Sequence, residues 1–158
     1  MNASKYFDEV ISMNPKYDIA FNAKINKATL YDGTSSSKEV LNSLQKLLKD
    51  EKNKEYQDQI YFALANVYYA DGNEEEAIDC YEKSIATSSS NSQQKAISYL
   101  SIGEIYYGYR KYIQAQPYLD SCMKFLPENY RNYNEIKTKS ENLNALAKYV
   151  HGVEYEDS

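Results

Sequence analysis

The apolar residues of this chain fall in paired runs whose spacing is helical. Tyr61, Leu64, Ala65 and Tyr68 make one run and Ala77, Tyr81, Ser84 and Ile85 the next, recurring at three or four residues as on a helix with a single apolar face. Between them stands Asp71-Gly72-Asn73, three residue types that favour a turn. The stretch 58–91 therefore reads as two antiparallel helices joined by a short loop. Ala65 and Ala77 lie in the middle of the two stripes, where a longer side chain would hold the backbones apart.

The same hairpin recurs. Ala77 has counterparts in Ala3, Val40 and Ala115, at steps of 37, 37 and 38 residues, and Tyr81 has them in Phe7, Leu44 and Leu119. Ser84-Ile85 is echoed by Val10-Ile11, Leu47-Leu48 and Cys122-Met123. On the first helix Ala65 is matched by Ala28 and Gly103, and Tyr68 by Tyr31 and Tyr106. A helix pair repeating in this way predicts an all-α solenoid, because no hairpin buries its apolar face without a neighbour. Within a hairpin the small-residue columns are always 12 apart, whereas the step to the next hairpin is 25, 25 and 26. The excess over a 34-residue unit is thus expected between hairpins, in longer linkers or in helices extended by about one turn of ~3.6 residues.

Taken in order, 1–15 reads as the second helix of a truncated hairpin, its stripe Ala3, Phe7, Val10 and Ile11 closed by Asn14-Pro15, since proline disfavours helix in the residue before it. Residues 16–53 form a degenerate repeat, with a helix over 17–32 that carries Lys24 and Lys27 where apolar residues are expected. Residues 54–91 and 92–127 are full repeats, and 128–150 is a terminal capping helix striped by Ile136, Leu143, Leu146 and Val150. One domain of about eight helices results, and the half-hairpin at its start leads to the expectation of a piece cut from a longer protein. Ser36 with Glu39, and Asn73 with Glu76, have the spacing of capping boxes, while Glu74-Glu75-Glu76 suits the positive end of a helix. Arg110 stands where the preceding repeat has Gly72, so that turn needs another solution. Pro117 is expected in the first turn of its helix, where a missing N–H does least harm, and the acidic tail 154–158 is expected to fray.

These columns resemble the tetratricopeptide repeats. The first helix of that family carries a large residue, an apolar-small pair and an aromatic, met here by Tyr61, Leu64-Ala65 and Tyr68 and again by Tyr99, Ile102-Gly103 and Tyr106. Its second helix carries an alanine, an aromatic, a further small residue and a closing proline. Ala77, Tyr81 and Ser84 fit that pattern, as do Ala115, Leu119, Cys122 and Pro127. The resemblance implies a right-handed α-solenoid that serves as a scaffold for a protein or peptide partner, and it names no partner. Where peptide-clamping cochaperones of the family carry basic and amide residues, this chain has Phe62, Leu100 and Ile97, which disfavours that role.

Composition narrows the chemistry. A net charge of −5 and a pI near 5.0 disfavour nucleic acid as partner. No apolar run approaches the ~18 residues of a membrane span, so direct membrane insertion by this chain is not expected. His151 is the only histidine and no glycine-rich loop precedes a helix, so no metal, no cofactor and no catalytic residue is expected. Cys80 and Cys122 are too few for a disulfide framework and read as two unpaired core thiols.

Three longer strings, FNAKINKATLYD, LLKDEKNKEYQDQIYFALANVYY and QKAISYLSIGEIYYGYRKYIQAQPYLDSCMKFLPENYRNYNEI, are similar to the periplasmic repeat lipoproteins of Bacteroidetes associated with gliding motility and type IX secretion, the SprE/PorW-like group. That similarity implies a periplasmic scaffold, anchored to the outer membrane through a lipid attached upstream of this sequence and touching other envelope proteins. Two other settings stay open: a cytoplasmic regulatory module of a signalling protein, and an accessory subunit of an enzyme or glycan-handling system. In each of them the chain is non-catalytic.

The candidate contact surface comes from a second stripe on the first helix of each hairpin. It holds Phe62, Asn66 and Tyr69, then Leu100, Glu104 and Tyr107, and more weakly Ile25, Thr29 and Asp32. Each lies one residue beyond the core stripe, turned about 100° around the helix, so it cannot enter the same hairpin core. In a stack the first helices line the concave face that solenoids use for binding. The alternative use of the stripe is packing between repeats, with Phe62 and Leu100 as the core members and Tyr69 and Tyr107 left as contact residues.

Overall fold

A computed structural model describes residues 15–157. Among the described residues there are seven α-helices and no strand: α1 (Pro15–Thr29), α2 (Lys38–Lys49), α3 (Gln57–Ala70), α4 (Glu74–Thr87), α5 (Ser92–Gly108), α6 (Tyr112–Phe125) and α7 (Tyr133–Asp157), with a 3-10 helix at Glu51–Tyr56. Helices pack in pairs, most closely α3 on α4 and α5 on α6, and the pairs pack on one another in sequence order. The all-helical hairpin solenoid expected from the period is therefore the fold. The helix expected over 1–15 lies outside the described residues, except that Pro15 opens α1, a place where its fixed φ and missing N–H fit.

The small-residue columns sit at the helix crossings. Ala28, Ala65, Ala77 and Ala115 are fully buried, and Gly103 shows why: a Cβ built there would stand 2.7 Å from Cδ2 and 2.8 Å from Cγ of Leu119 on α6. Ser140 of α7, 37 residues beyond Gly103, is buried as well, so the terminal helix continues the column. One core joins α1 through α5, from Phe21 and Ala28 to Ile102 and Ile105. Two smaller clusters, around Cys122 with Leu126 and Ile136 and around Leu119 with Leu143, tie α6 to α7. The degenerate repeat is looser because Lys27 occupies the column of the buried Leu64 and Ile102. It stays in solvent 3.5 Å from Glu39 of α2, an exposed pair that contributes little.

The extra residues of the period lie between hairpins, as the subtraction predicts. After α2 they form the 3-10 helix, capped by Asp50, whose Oδ1 accepts from Lys52 N at 3.0 Å. After α4 they lengthen α5 to 17 residues. The turn at Arg110 uses the same backbone as the turn at Gly72. Asn73 N bonds Tyr68 O at 2.9 Å and Gly72 N bonds Tyr69 O at 3.0 Å; Lys111 N bonds Tyr106 O at 2.9 Å and Arg110 N bonds Tyr107 O at 2.9 Å. Both are the paired bonds of a Schellman end, with φ +82° at Gly72 and +59° at Arg110. Arginine thus occupies a left-handed position, and the missing glycine is not replaced by another kind of turn.

Four local expectations need correction. Neither capping box forms: the helix-preceding residues are Ser37 and Asn73, and neither side chain bonds the first turn. Ser36 Oγ only accepts from Lys38 N at 3.4 Å. Among these α-helices a side chain does cap α5, where Asn91 accepts from Gln94 N at 3.0 Å. Pro117 is the sixth residue of α6, past the first turn, so the bond residue 117 would donate four residues back is lost on an exposed face. The terminal helix starts at Tyr133, later than the expected 128, and its assignment runs through Asp157, past the expected end at 150.

Gly103→Ala should destabilise the protein, because overpacking of roughly 1–3 kcal/mol outweighs the ~1 kcal/mol gained in helix propensity. Gly108→Ala, with nothing within 4 Å of its Cβ, should be neutral or stabilising; urea unfolding of the two variants would reverse that order if the crossing were loose. Arg110→Gly should stabilise by about 1 kcal/mol by relieving the left-handed arginine. A lower unfolding midpoint for that variant would mean the arginine side chain contributes more than its backbone strain removes.

Candidate protein-binding groove

The fold draws the second stripe of α3 and α5 into one groove, apart from Phe62. Asn66, Tyr69, Leu100 and Glu104 line a hollow of about 410 Å³ between α3 and α5, with Tyr81, Ile97, Ser101, Ile105 and Tyr130. Leu100, Glu104 and Tyr130 also border a second hollow of about 250 Å³, which adds Arg131, Glu135 and Lys139. Tyr107 lines a third, of about 460 Å³, with Glu135, Thr138 and Lys139 of α7. The shared residues make the three continuous along α3, α5 and α7. Phe62 stays half-buried, its ring 5.6 Å from that of Tyr81.

The column of small residues is what turns these side chains outward. Because Ala65 and Gly103 face the partner helix of their own hairpins, the next residue on each helix lies about 100° around and opens on the groove. Tyr81, fully inside the hairpin, donates from its hydroxyl to Asn66 Oδ1 and so fixes the amide at the groove wall. Burial pushes the Tyr81 phenol up to about 12. Glu104 is held by Lys139 Nζ at 3.1 and 3.2 Å, and the same ammonium stands 4.4 Å above the Tyr107 ring. Tyr107 also meets Tyr112 edge-on, 5.2 Å between centroids. Tyr69 keeps 48% of its surface exposed. It is the stripe's open aromatic.

The weaker row does not join the groove. Ile25 packs against the core, Thr29 Oγ1 donates to Ile25 O at 3.0 Å, and Asp32 accepts from Thr34 N at 3.0 Å and from Thr34 Oγ1 at 2.6 Å. Those bonds hold the Asp32 carboxyl below its usual range. Sequence reasoning missed Tyr130 and Arg131, which come from the loop before α7, and Lys139 of α7, which stands 37 residues beyond Ile102 in a column that is apolar in the two full repeats.

It also missed what the tyrosines do. Tyr17 donates to Asn53, Tyr31 to Asp71, Tyr109 to Glu74 Oε1 at 2.6 Å and Tyr118 to Glu82 Oε1 at 2.6 Å. Donor and acceptor are 36, 40, 35 and 36 residues apart, close to one period, so each bond ties a repeat to its neighbour. The pairing of tyrosine with an acid or amide at that separation is the signal that would have found them. The bond to Asp71 raises the Tyr31 phenol and that to Glu74 raises Tyr109, while burial, then Glu82, raises Tyr118. A further tie is buried: Ser84 Oγ donates to Asp58 O at 2.8 Å and lies 2.8 Å from Ser98 Oγ. Ser88 Oγ reaches Asp58 Oδ2 at 3.3 Å. Among the described residues no buried side-chain polar atom lacks a partner, as a stable polar network requires.

Residues 56–128, which hold α3 through α6, match the family model described as tetratricopeptide repeat. That span covers the two full hairpins and the loops between their helices. Such repeats generally mediate contact between proteins, and the groove lies on the helices of the matched span together with α7. No curated protein matches the chain. Among the described residues no helix is long and apolar enough to cross a membrane.

Cys80 and Cys122 are both free and buried, and burial pushes their thiols up to about 11 and about 12. A thiol or phenol that ionises later in the folded chain than in the unfolded one adds stability in full below its unfolded pKa and loses it as pH rises through the folded one. With unfolded values of roughly 8.5 for cysteine and 10 for tyrosine, stability should fall between about pH 8.5 and 12. Urea midpoints across that range check this. Thiolate absorbance of the native protein titrating near pH 8.5 would contradict it, as would fewer than two reactive thiols in the unreduced, denatured chain.

Proposed function

We propose that this chain is a non-catalytic scaffold that holds a protein or peptide partner in the groove along α3, α5 and α7. The observation that carries the reading is the meeting of Asn66, Tyr69, Leu100 and Glu104 around one open hollow, on helices of a repeat type that generally binds proteins. A wall of this kind offers tyrosine area with a hydroxyl, an amide held in place, and a carboxylate already paired with Lys139. It suits a partner segment that is itself part apolar and part polar, recognised by shape and hydrogen bonds more than by net charge. As the setting we propose an envelope assembly, the chain facing the periplasm from an outer-membrane anchor supplied upstream. That part rests on the similarity of the three long strings to the gliding and secretion lipoproteins. A cytoplasmic regulatory module and an accessory subunit of an enzyme or glycan-handling system are the competing settings.

Affinity capture from envelope and from cytosolic extracts, compared side by side, discriminates the settings. With the captured partner in hand, Tyr69→Ala combined with Tyr107→Ala should weaken binding by roughly 2 kcal/mol, about 30-fold, with the helical circular dichroism intact. Full binding by that variant, together with loss on Glu75→Ala combined with Asp79→Ala on the outer side of α4, would move the site to the convex face.

A further inference from the structure

A cleft of about 670 Å³ opens where one hairpin is linked to the next. It shares no lining residue with the three hollows of the groove. One wall is the end of the 3-10 helix with the start of α3; the other is the end of α4 with the loop 88–91 that leads into α5. The 3-10 helix holds extra residues of the period, so part of that excess builds a hollow as well as spacing the hairpins.

The lining decides what would fill it. No valine, leucine, isoleucine or methionine borders the cleft, whereas most small-molecule sites have apolar walls. Its one ring is Tyr56, which is 41% exposed and is backed by Phe21 at 5.5 Å between centroids. Around that ring stand hydrogen-bonding groups of both senses. Asp58, itself buried, accepts from Gln59 N at 2.9 Å through Oδ1 and from Ser88 Oγ at 3.3 Å through Oδ2, and each oxygen has a lone pair left. Asn91 commits its Oδ1 to Gln94 N and keeps two amide hydrogens to donate. The side chains of Gln59, Ser89 and Ser90 are spent on no bond among the described residues.

Charge argues against an ionic ligand of either sign. Asp58 and Glu55 repel an anion. Lys54 on the rim, and the amino end of α3 where Asp58 sits in the first turn, offset the pull on a cation. A neutral molecule with several hydroxyls remains, and a pyranose has that form: a flat C–H face for an aromatic ring and an edge of groups that both give and accept. We propose that this cleft binds a neutral sugar, with Tyr56 under the ring face and Asp58, Gln59 and Asn91 on the hydroxyls. Its volume falls within the ~300–1,000 Å³ of ligand sites, enough for a mono- or disaccharide. Cleft and groove are separate, so either can be occupied without the other.

Saturation-transfer-difference NMR of the full chain tests it, with glucose, galactose, mannose, N-acetylglucosamine, maltose, cellobiose and lactose as probes at millimolar concentration. At least one sugar should receive saturation and shift the side-chain amide signals of Gln59 and Asn91. Its dissociation constant should rise roughly tenfold in Tyr56→Ala, and by a similar factor in Gln59→Ala, which keeps the test open if the first variant loosens the linker. Tyr56→Phe, which retains the ring, should bind within about threefold of the native chain. No transfer to any of these sugars would overturn the proposal, as would binding unchanged in both alanine variants. Shifts at the Asn66 amide in place of those at Gln59 and Asn91 would put the sugar in the groove, and tighter binding of ethylammonium than of every sugar would mark a cation site; either result overturns it.

Discussion

Two helices approach closely only where a side chain is nearly absent, and this constraint organises the molecule. At the crossing of α5 and α6 the space a Cβ would need at Gly103 is filled by Leu119. At the other crossings the same columns hold Ala28 and Val40, then Ala65 and Ala77, all of them buried. The close approach fixes the rotation of each first helix about its axis. That rotation determines which residues enter the core, which pack on the preceding hairpin and which are left to face the groove.

Apolar contact alone does not lock one hairpin against the next, since packed helices can slide with little loss of buried area. The tyrosine ties and the Asp58, Ser84, Ser88 and Ser98 network add bonds with fixed geometry between successive repeats. A phenol suits this task because its ring packs on the helix surface while its hydroxyl reaches an acceptor one period away. Chemistry that sequence composition flags as possible binding material is thus largely spent on internal register. Tyr69 is the member of the stripe that remains open.

The fold was legible in the sequence because the constraint behind it is local and repeated: a small residue every 37 or 38 positions with aromatics beside it. The hairpin columns, the constant turn spacing and the excess between hairpins all follow from counting. Helix ends were less legible. Ser36 and Asn73 have the residue types of capping boxes, yet their side chains do not turn back onto the first turn, and such rotamers depend on neighbours that spacing cannot supply. Arg110 was recognised as a departure, but its left-handed backbone is dictated by the paired bonds of the helix end. Of the groove, the α3 and α5 walls were legible as a displaced stripe. Tyr130 and Arg131 were not, because they reach it from the loop before α7, and Lys139 was not, because its column holds the core residues Leu64 and Ile102 in the full repeats.

If the stack is the unit of stability, a hairpin cut from it should not hold its shape. Far-ultraviolet circular dichroism of a peptide spanning residues 57–87, which is α3 and α4 without neighbours, tests this directly against the segment 57–125, which adds α5 and α6. The account predicts little helix and no cooperative melt for the single hairpin, with helicity and a cooperative transition recovered in the longer segment. A single hairpin that is helical and melts cooperatively at the temperature of the longer segment would contradict it.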